Sequence, residues 1–162
     1  MTDDSPVQTL AAGSAVDAFA DAGRLLHDFN REYDEPTPPP GELTARVTEL
    51  VGGGHVAVLL ARDREDGSAV GVAVMRLQPS VWSSGQEAYL AELYVVPGRR
   101  GLGYGRALIT ETMHVARTRG ADYAFVITSE EDRLAQRLYE AAGFRRTEGV
   151  DGPLMLAYER DL

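Results

Sequence analysis

The stretch that decides the fold is YLAELYVVPGRRGLGYGRALITETMHVART, residues 89–118. Residues 89–96 are apolar and rich in branched and aromatic side chains, which predicts a central strand. Pro97 ends that strand because a proline has no N–H to donate to a ladder. Glycines follow at positions 101, 103 and 105, and helical spacing begins at Ala107. Glycines let a backbone approach a ligand closely, and a helix N-terminus attracts anions, so this strand, loop and helix predict a phosphate site.

Two common phosphate-binding motifs do not fit this loop. A dinucleotide-binding turn would need a third glycine where Arg106 stands. A nucleotide-binding P-loop needs a lysine, and all 16 basic residues of this chain are arginines. The absence of lysine also excludes protein-kinase chemistry and Schiff-base chemistry.

Arg100, Gly103 and Gly105, placed directly after a strand, resemble the acyl-coenzyme A loop of the GCN5-related N-acetyltransferase (GNAT) superfamily. The pattern of that loop is Arg/Gln-x-x-Gly-x-Gly/Ala. The resemblance implies acetyl-coenzyme A (acetyl-CoA) as the acyl donor of a transfer to an amine. It also implies cofactor contacts by Tyr94, Val95, Val96, Arg100, Gly101, Leu102, Gly103, Tyr104, Gly105 and Asp132.

A second motif follows near the C-terminus, where Asp132, Ala135 and Tyr139 share one helical face. The superfamily often has Asn-x-x-Ala-x-x-Leu-Tyr followed by Gly-Phe, and residues 132–139 and 143–144 resemble it with Asp in place of Asn. An ionised Asp only accepts hydrogen bonds, whereas Asn also donates. The resemblance makes Tyr139 the general acid that protonates the departing thiolate. The alternative is a packed tyrosine whose hydroxyl bonds a carbonyl.

Glu92 interrupts the apolar strand, and a buried carboxylate there is costly unless it is paired or opens to a cleft. Its position resembles that of the catalytic glutamate of histone acetyltransferases in the same superfamily. Glu92 is therefore the candidate base, acting on the amine directly or through water, with a structural role at a strand kink as the alternative. A backbone N–H near Tyr94 or Val95 would polarise the acyl carbonyl if a bulge separates this strand from its neighbour.

Composition narrows the remaining possibilities. The chain of 162 residues carries a net charge of −9, which disfavours nucleic-acid and membrane partners and favours cationic substrates. No apolar run is long enough for a membrane helix, and the acidic N-terminus lacks the features of a signal peptide, so we expect a cytoplasmic protein. Cysteine is absent, which favours direct attack of the amine over a covalent enzyme intermediate. The histidines at 27, 55 and 114 are isolated, so we expect no metal site.

The order of predicted elements is β-α-α-β-β-β-α-β-α-β-β, a mixed α/β sheet of six to seven strands with helices on both faces. We expect one GNAT-like domain over residues 1–162, with residues 1–6 as a flexible tail. Ser14 and Asp17 predict a capping box for the first helix, and Ser129 predicts the cap of the last one, residues 130–142. Residues 144–148 and 153–159 are predicted as two closing strands.

The acceptor is predicted to be a small amine or an amino sugar, bound by a monomer or homodimer. Two alternatives stay open: an acetyltransferase of protein N-terminal amines, of the ribosomal-protein-alanine type, and a coenzyme A-binding module without turnover. We expect a group of acidic and aromatic residues in the first helix to contact the acceptor. The alternative is that these residues form a solvated face of that helix. The group comprises Asp28, Phe29, Glu32 and Tyr33, with Trp82 as a further wall.

Overall fold

The computed structural model describes residues 5–162 and arranges them around a five-stranded sheet. The strands are β1 (Val7–Thr9), β2 (Val56–Arg62), β3 (Ala69–Pro79), β4 (Gln86–Val95) and β5 (Ala121–Val126). The helices are α1 (Val16–Glu32), α2 (Pro40–Gly52), α3 (Tyr104–Thr118) and α4 (Arg133–Ala141), with a 3₁₀ turn at Pro97–Arg99. No helix among these residues has both the length and the apolar character needed to span a bilayer.

The sheet has the spatial order β1-β2-β3-β4-β5. Its first four strands pair antiparallel, and β5 pairs parallel to β4 after the crossover through α3. One buried cluster joins the sheet to α3 and includes Leu59, Met75, Leu90 and Leu108. The other joins the opposite face to α1 and α2. The predicted mixed α/β sheet with helices on both faces is confirmed.

The predicted count of six to seven strands is wrong, because the described residues form five. Residues 144–148 and 153–159 meet at a single bridge, between Thr147 and Leu154, and do not join the sheet. Leu154, Leu156 and Tyr158 are exposed there. Without burial of these side chains, little offsets the entropy cost of ordering a longer ladder.

Two predicted helix starts also differ. The Ser14 hydroxyl accepts a hydrogen bond from the Ala11 N–H at 2.9 Å, in the turn before α1, so it does not cap the helix. Ala15 is the N-cap of α1 and makes no side-chain bond there. In α4 the N-cap is Asp132, three residues after the predicted Ser129. At the other end of the described chain, the Pro6 carbonyl accepts from the Arg62 N–H at 2.7 Å, and residues 1–4 of the predicted tail lie outside the described range.

Candidate active site

A β-bulge lies in the middle of β4. Glu92 pairs with Val74 of β3, and the next pair joins Leu90 to Met75, so Ala91 is one residue in excess. Leu90 packs toward α3, whereas Glu92 lies opposite Val74 on the face of α1 and α2. A bulge bends the strand that carries it and increases its twist.

The strands β4 and β5 separate at the same place. Their ladder runs from Gln86 to Leu90 and, among the described residues, goes no further. The Val96 N–H donates to the Val70 carbonyl on β3 at 2.9 Å, and strand alternation then directs the N–H groups of Leu93 and Val95 away from β3. Those two N–H groups therefore face the gap that opens beyond Leu90, and Tyr94, the other residue predicted for this role, directs its N–H to β3.

The glycine loop, residues 97–103, leads from β4 into α3. Gly101 and Gly103 have φ angles of 78° and 91°, a region that side chains with a Cβ rarely adopt. A Cβ at either position would meet no atom within 4 Å, so the space in front of both glycines is open. Gly103 is the N-cap of α3, and within residues 5–162 this helix has no side-chain cap. The loop thus presents free N–H groups at the positive end of a helix.

Gly105, the third predicted glycine, has a different function in the fold. A Cβ there would lie 3.1 Å from Leu138 Cδ2, so the missing side chain makes room for Leu138 of α4 against α3. Leu102, between the two left-handed glycines, is 58% exposed. Val96 is half-buried at the end of the strand and packs against both cores.

Asp63, which no sequence motif indicated, connects the β2–β3 hairpin to both ends of the glycine loop. Its buried carboxylate accepts from Arg99 Nε at 2.6 Å and from the Tyr104 hydroxyl at 3.3 Å. The Glu65 N–H and then the Arg99 guanidinium hold the pKa of Asp63 below its usual range. The side chains of Arg99 and Tyr104 are therefore structural, and Tyr104 offers a ligand only its backbone.

Arg100, the motif arginine, folds back over the site. Its Nε donates to the Val95 carbonyl at 2.9 Å, and its terminal nitrogen bonds Glu32 at 2.8 Å. The guanidinium also lies 5.7 Å from the ring centre of Tyr94. Arg100 therefore joins the predicted cofactor loop to the end of α1, where the predicted acceptor residues are.

Tyr139 is buried in α4, and its ring meets the edge of Phe144 with centres 6.0 Å apart. No hydrogen bond joins its hydroxyl to any other residue in the range 5–162, and the oxygen is not sealed from solvent. Burial, followed by the negative charges of Asp132 and Glu92, raises the pKa of Tyr139 to about 12. The phenol therefore stays protonated at neutral pH, as a general acid must.

The carboxylate of Glu92 has no hydrogen-bond or ion-pair partner among residues 5–162. Burial raises the pKa of Glu92, and the positive charge of Arg76 opposes this effect. Because the charge of Glu92 also acts on Tyr139, both candidate catalytic groups belong to one electrostatic site. A half-buried carboxylate without a partner is what a base for an incoming amine requires.

Asp132 stabilises the N-terminus of α4. Its Oδ1 accepts a hydrogen bond from the Ala135 N–H at 2.9 Å, which caps the N-terminus of α4. This cap starts the helix that carries Tyr139 two turns later. Asp and Asn are about equally good at this position, which explains why Asp can stand where the motif has Asn.

The structure brings most predicted acceptor residues together. Phe29 stacks on Tyr94 at 5.2 Å and meets Tyr33 edge-on at 5.5 Å, and Glu32 bonds Arg100. Asp28 pairs with Arg24 on the helix surface at 3.5 Å. Trp82 is separate from this group: it is 90% exposed in the loop before β4, and the start of that strand lies about 20 Å from Glu92.

Several known proteins are similar to this chain in sequence and in architecture. Residues 23–144 match the sequence profile of the Acetyltransferase (GNAT) family. A mycothiol acetyltransferase from Beutenbergia cavernae is 38% identical over 71 residues, which are 42% of this chain and 24% of that protein. A glucosamine 6-phosphate N-acetyltransferase from Trypanosoma brucei brucei is 28% identical over 115 residues, 70% of this chain and 76% of that protein.

The crystal structure of a protein named as an acetyltransferase from Arthrobacter sp. FB24 superposes with a TM-score of 0.83. It shares 38% identity and covers 96% of this chain and 95% of its own. Together the fold and these matches define the class of protein as the GNAT acetyltransferase family. The chain belongs to the GNAT family. It spans about a quarter of the length of the mycothiol acetyltransferase that it matches.

Proposed function

We propose that this protein transfers the acetyl group of acetyl-CoA to the primary amine of a small molecule or an amino sugar. One observation carries the proposal: the gap beyond Leu90, which the N–H groups of Leu93 and Val95 face, opens beside the start of α3, where no side chain of residues 5–162 caps the helix. The names of the Beutenbergia and Trypanosoma relatives support an acceptor of this size. From the sequence we also propose a cytoplasmic location and a monomer or homodimer.

The residues of the site fit acetyl-CoA. The open space at Gly101 and Gly103 and the free N–H groups of the first turn of α3 suit a pyrophosphate. The proposed contacts of the strand are the N–H groups of Leu93 and Val95, which suit an extended amide-bearing chain and the acyl carbonyl. When bound, acetyl-CoA supplies an acetyl group activated as a thioester.

Glu92 accepts the proton of the amine in this proposal, directly or through water. Its raised pKa makes it a stronger base than an ordinary carboxylate. Tyr139 donates its hydroxyl proton to the sulfur that leaves. Direct attack needs no enzyme nucleophile, in keeping with a chain that has no cysteine.

The motif arginine must change partners for this reaction. Arg100 now bonds Glu32 and the Val95 carbonyl, so we expect a phosphate to compete with Glu32 for its guanidinium. Asp132 already uses one carboxylate oxygen to cap α4. We therefore propose that Asp132 supports the site by fixing the start of the helix that carries Tyr139.

The test is thiol release from acetyl-CoA in the presence of an amine panel. Because the chain has no cysteine, a thiol reagent reports only the coenzyme A that is released. The panel contains glucosamine, glucosamine 6-phosphate, a simple alkylamine and a peptide with an N-terminal alanine. Turnover with the small amines supports the proposal. Turnover with the peptide alone would indicate the protein-acetylating alternative, and binding of acetyl-CoA without turnover would indicate a binding module.

Calorimetry with coenzyme A tests the cofactor assignment separately. Gly103→Ala places a Cβ on a residue whose φ is 91°, so the loop must move to accept it. We expect affinity to fall more than about tenfold, or ~1.4 kcal/mol. Gly98→Ala is the control, since Gly98 has ordinary φ and open space. Equal affinity of the two variants, both folded, would contradict the assignment.

A further inference from the structure

Three side chains form a row across the sheet beside the proposed base. Arg76 of β3 pairs with Tyr89 of β4, and Tyr89 pairs with Phe125 of β5. The rings of Tyr89 and Phe125 stack with centres 4.8 Å apart and an angle of 8° between their planes. The Arg76 guanidinium lies 5.9 Å from the ring centre of Tyr89. These residues, the Arg76 row, make a flat aromatic surface with a cation at one end.

The Arg76 row lies on the same face of the sheet as Glu92. Val74 belongs to the core under α1 and α2, and both its strand neighbour Arg76 and its cross-strand partner Glu92 share its face. Along β3 the buried residues of this face end at Val74, and Arg76 is exposed. The pair Arg76–Tyr89 is two residues of β3, about 7 Å, from the pair Val74–Glu92.

Arg76 is a cation without a direct partner. Within residues 5–162 its guanidinium makes no hydrogen bond and no ion pair, and the contacts of the side chain are the ring of Tyr89 and the through-space charge of Glu92. Arg62, Arg99 and Arg100 each bond a carboxylate. Other arginines of the described residues also lack an ion pair, and Arg76 is notable for its place on the sheet beside Glu92. In a chain with a net charge of −9, an unpaired guanidinium beside the proposed base marks a place for an anion.

We propose that the Arg76 row is a subsite for the acceptor, and that the acceptor is a ring-bearing amine that also carries an anionic group. The ring lies on Tyr89 and Phe125, Arg76 binds the anionic group, and the amine reaches Glu92. This inference rests on the proposed acetyl transfer. A planar guanidinium binds phosphate or carboxylate with two parallel hydrogen bonds, and its contact with Tyr89 orients it for that purpose.

The same arrangement selects against polycations. An acceptor with a second ammonium group in place of the anionic group would bring two positive charges together at Arg76. Specificity of this kind comes from repulsion as much as from attraction. The row thus predicts which amines are rejected, although the net charge of the whole chain favours cations.

Matched acceptors test the subsite. Glucosamine and glucosamine 6-phosphate differ only in the phosphate, and kcat/KM for each is measured by thiol release. We expect the wild type to prefer the phosphorylated amine by more than about tenfold, a difference of ~1.4 kcal/mol. Arg76→Gln should abolish most of that preference by raising KM for glucosamine 6-phosphate by a much larger factor than KM for glucosamine. Arg46→Gln, which removes an exposed arginine of α2, is the control and should keep the preference.

Further results support or overturn the subsite. Loss of activity in Arg76→Gln toward both amines by the same factor overturns the subsite, as does a wild-type preference for glucosamine or a polyamine. Tyr89→Leu should raise KM for both sugars, because it removes the stacking surface and keeps an apolar residue.

If no amine is turned over, the proposed function fails. In that event, calorimetric binding of glucosamine 6-phosphate that Arg76→Gln abolishes still supports the subsite, and binding that is absent or insensitive to Arg76 overturns it.

Discussion

The hydroxyl of Tyr139 is the group that says most about the chemistry of the site. A packed tyrosine normally bonds its hydroxyl to a carbonyl, and in residues 5–162 this one bonds nothing. A hydroxyl that contributes no hydrogen bond to the fold is available for another task. Its raised pKa, about 12, keeps the proton in place until a stronger base forms nearby.

We predict that Tyr139→Phe lowers kcat by roughly 10² or more and barely changes coenzyme A affinity. The melting temperature should stay the same, because the lost hydroxyl has no partner in the fold. Steady-state kinetics and a thermal melt check both parts. Tyr158→Phe, at a tyrosine that is 90% exposed, is the control. A Phe variant with full activity and a lower melting temperature would exclude the general acid.

We predict that replacing Glu92 by Gln has opposite effects on activity and on stability. Glu92→Gln should reduce turnover by a factor on the order of 10² to 10⁴, with a smaller loss at higher pH, where more amine arrives neutral. The pKa of Glu92 is raised in the folded state, so the folded protein holds this proton more tightly than the unfolded chain. Stability therefore falls as pH rises from the ordinary carboxyl pKa through the raised one.

Above that window, the Gln variant should melt at a higher temperature than the wild type, since it buries no charge. Below it, the two should melt alike. Melts at pH 4 and pH 8, with pH–rate profiles of both proteins, provide the measurement. An equal loss of turnover at every pH would indicate an orienting role for Glu92.

At the scale of elements, the β2–β3 hairpin determines the shape of the glycine loop. Asp63 bonds Arg99 at the entry to the loop and Tyr104 at its exit. These bonds fix both ends before a ligand arrives, and a preorganised loop binds with a smaller loss of entropy. The free N–H groups between Gly101 and Gly103 stay in position as a result.

Asp63→Asn should therefore raise the KM of acetyl-CoA several-fold and leave kcat nearly unchanged at saturation. Asp66→Asn is a matched control, because Asp66 lies in the same hairpin and its carboxylate bonds Ser68 rather than Arg99 or Tyr104. Initial rates at varied acetyl-CoA separate the two parameters. If kcat falls and KM does not, or if the two variants behave alike, the loop does not depend on Asp63.

Sequence reasoning found the elements whose signals are local. The end of β4 at Pro97, the glycine loop and the helix of Tyr139 follow from chain breakers and periodicity. The hydrogen bonds of Asp63 span 36 and 41 residues, and no local pattern encodes such distances. The sequence pattern does not predict the bulge either, because simple alternation from Leu90 assigns Glu92 to the wrong face of the strand.

The errors at the helix starts and the C-terminus have one physical origin. Ser14 can bond either the turn before α1 or the helix itself, and a motif does not decide between the two. Residues 144–159 have strand-like composition, but strand propensity depends on a neighbour against which to pack. Tertiary context decides both cases.

At the scale of the whole molecule, charge is the dominant feature. The chain has 25 acidic and 16 basic residues, and most of its arginine–carboxylate pairs are partly exposed. Exposed pairs contribute little to stability, whereas a net charge of −9 repels itself throughout the fold.

We therefore predict that the melting temperature rises when sodium chloride increases from about 10 to 150 mM, as the screening length shortens from ~30 to ~8 Å. The same titration closer to the isoelectric point should show a smaller change. Differential scanning fluorimetry is sufficient for both series. A decrease with salt at pH 7 would show that attractive pairs outweigh the net repulsion.

Because Ala91 is the extra residue of the bulge, it could be lost without disturbing the pairing of β4 with β3. If Ala91 were deleted, Leu90 and Glu92 would become neighbours, and both would keep their partners on β3 and their faces of the sheet. The ladder would become regular, β4 would straighten, and β5 could continue beside it across the gap. One lost codon would thus preserve the architecture and close the gap on which the proposed acetyl transfer depends. A lineage could pass by that step from a transferase to an inert scaffold, with every proposed catalytic side chain still encoded.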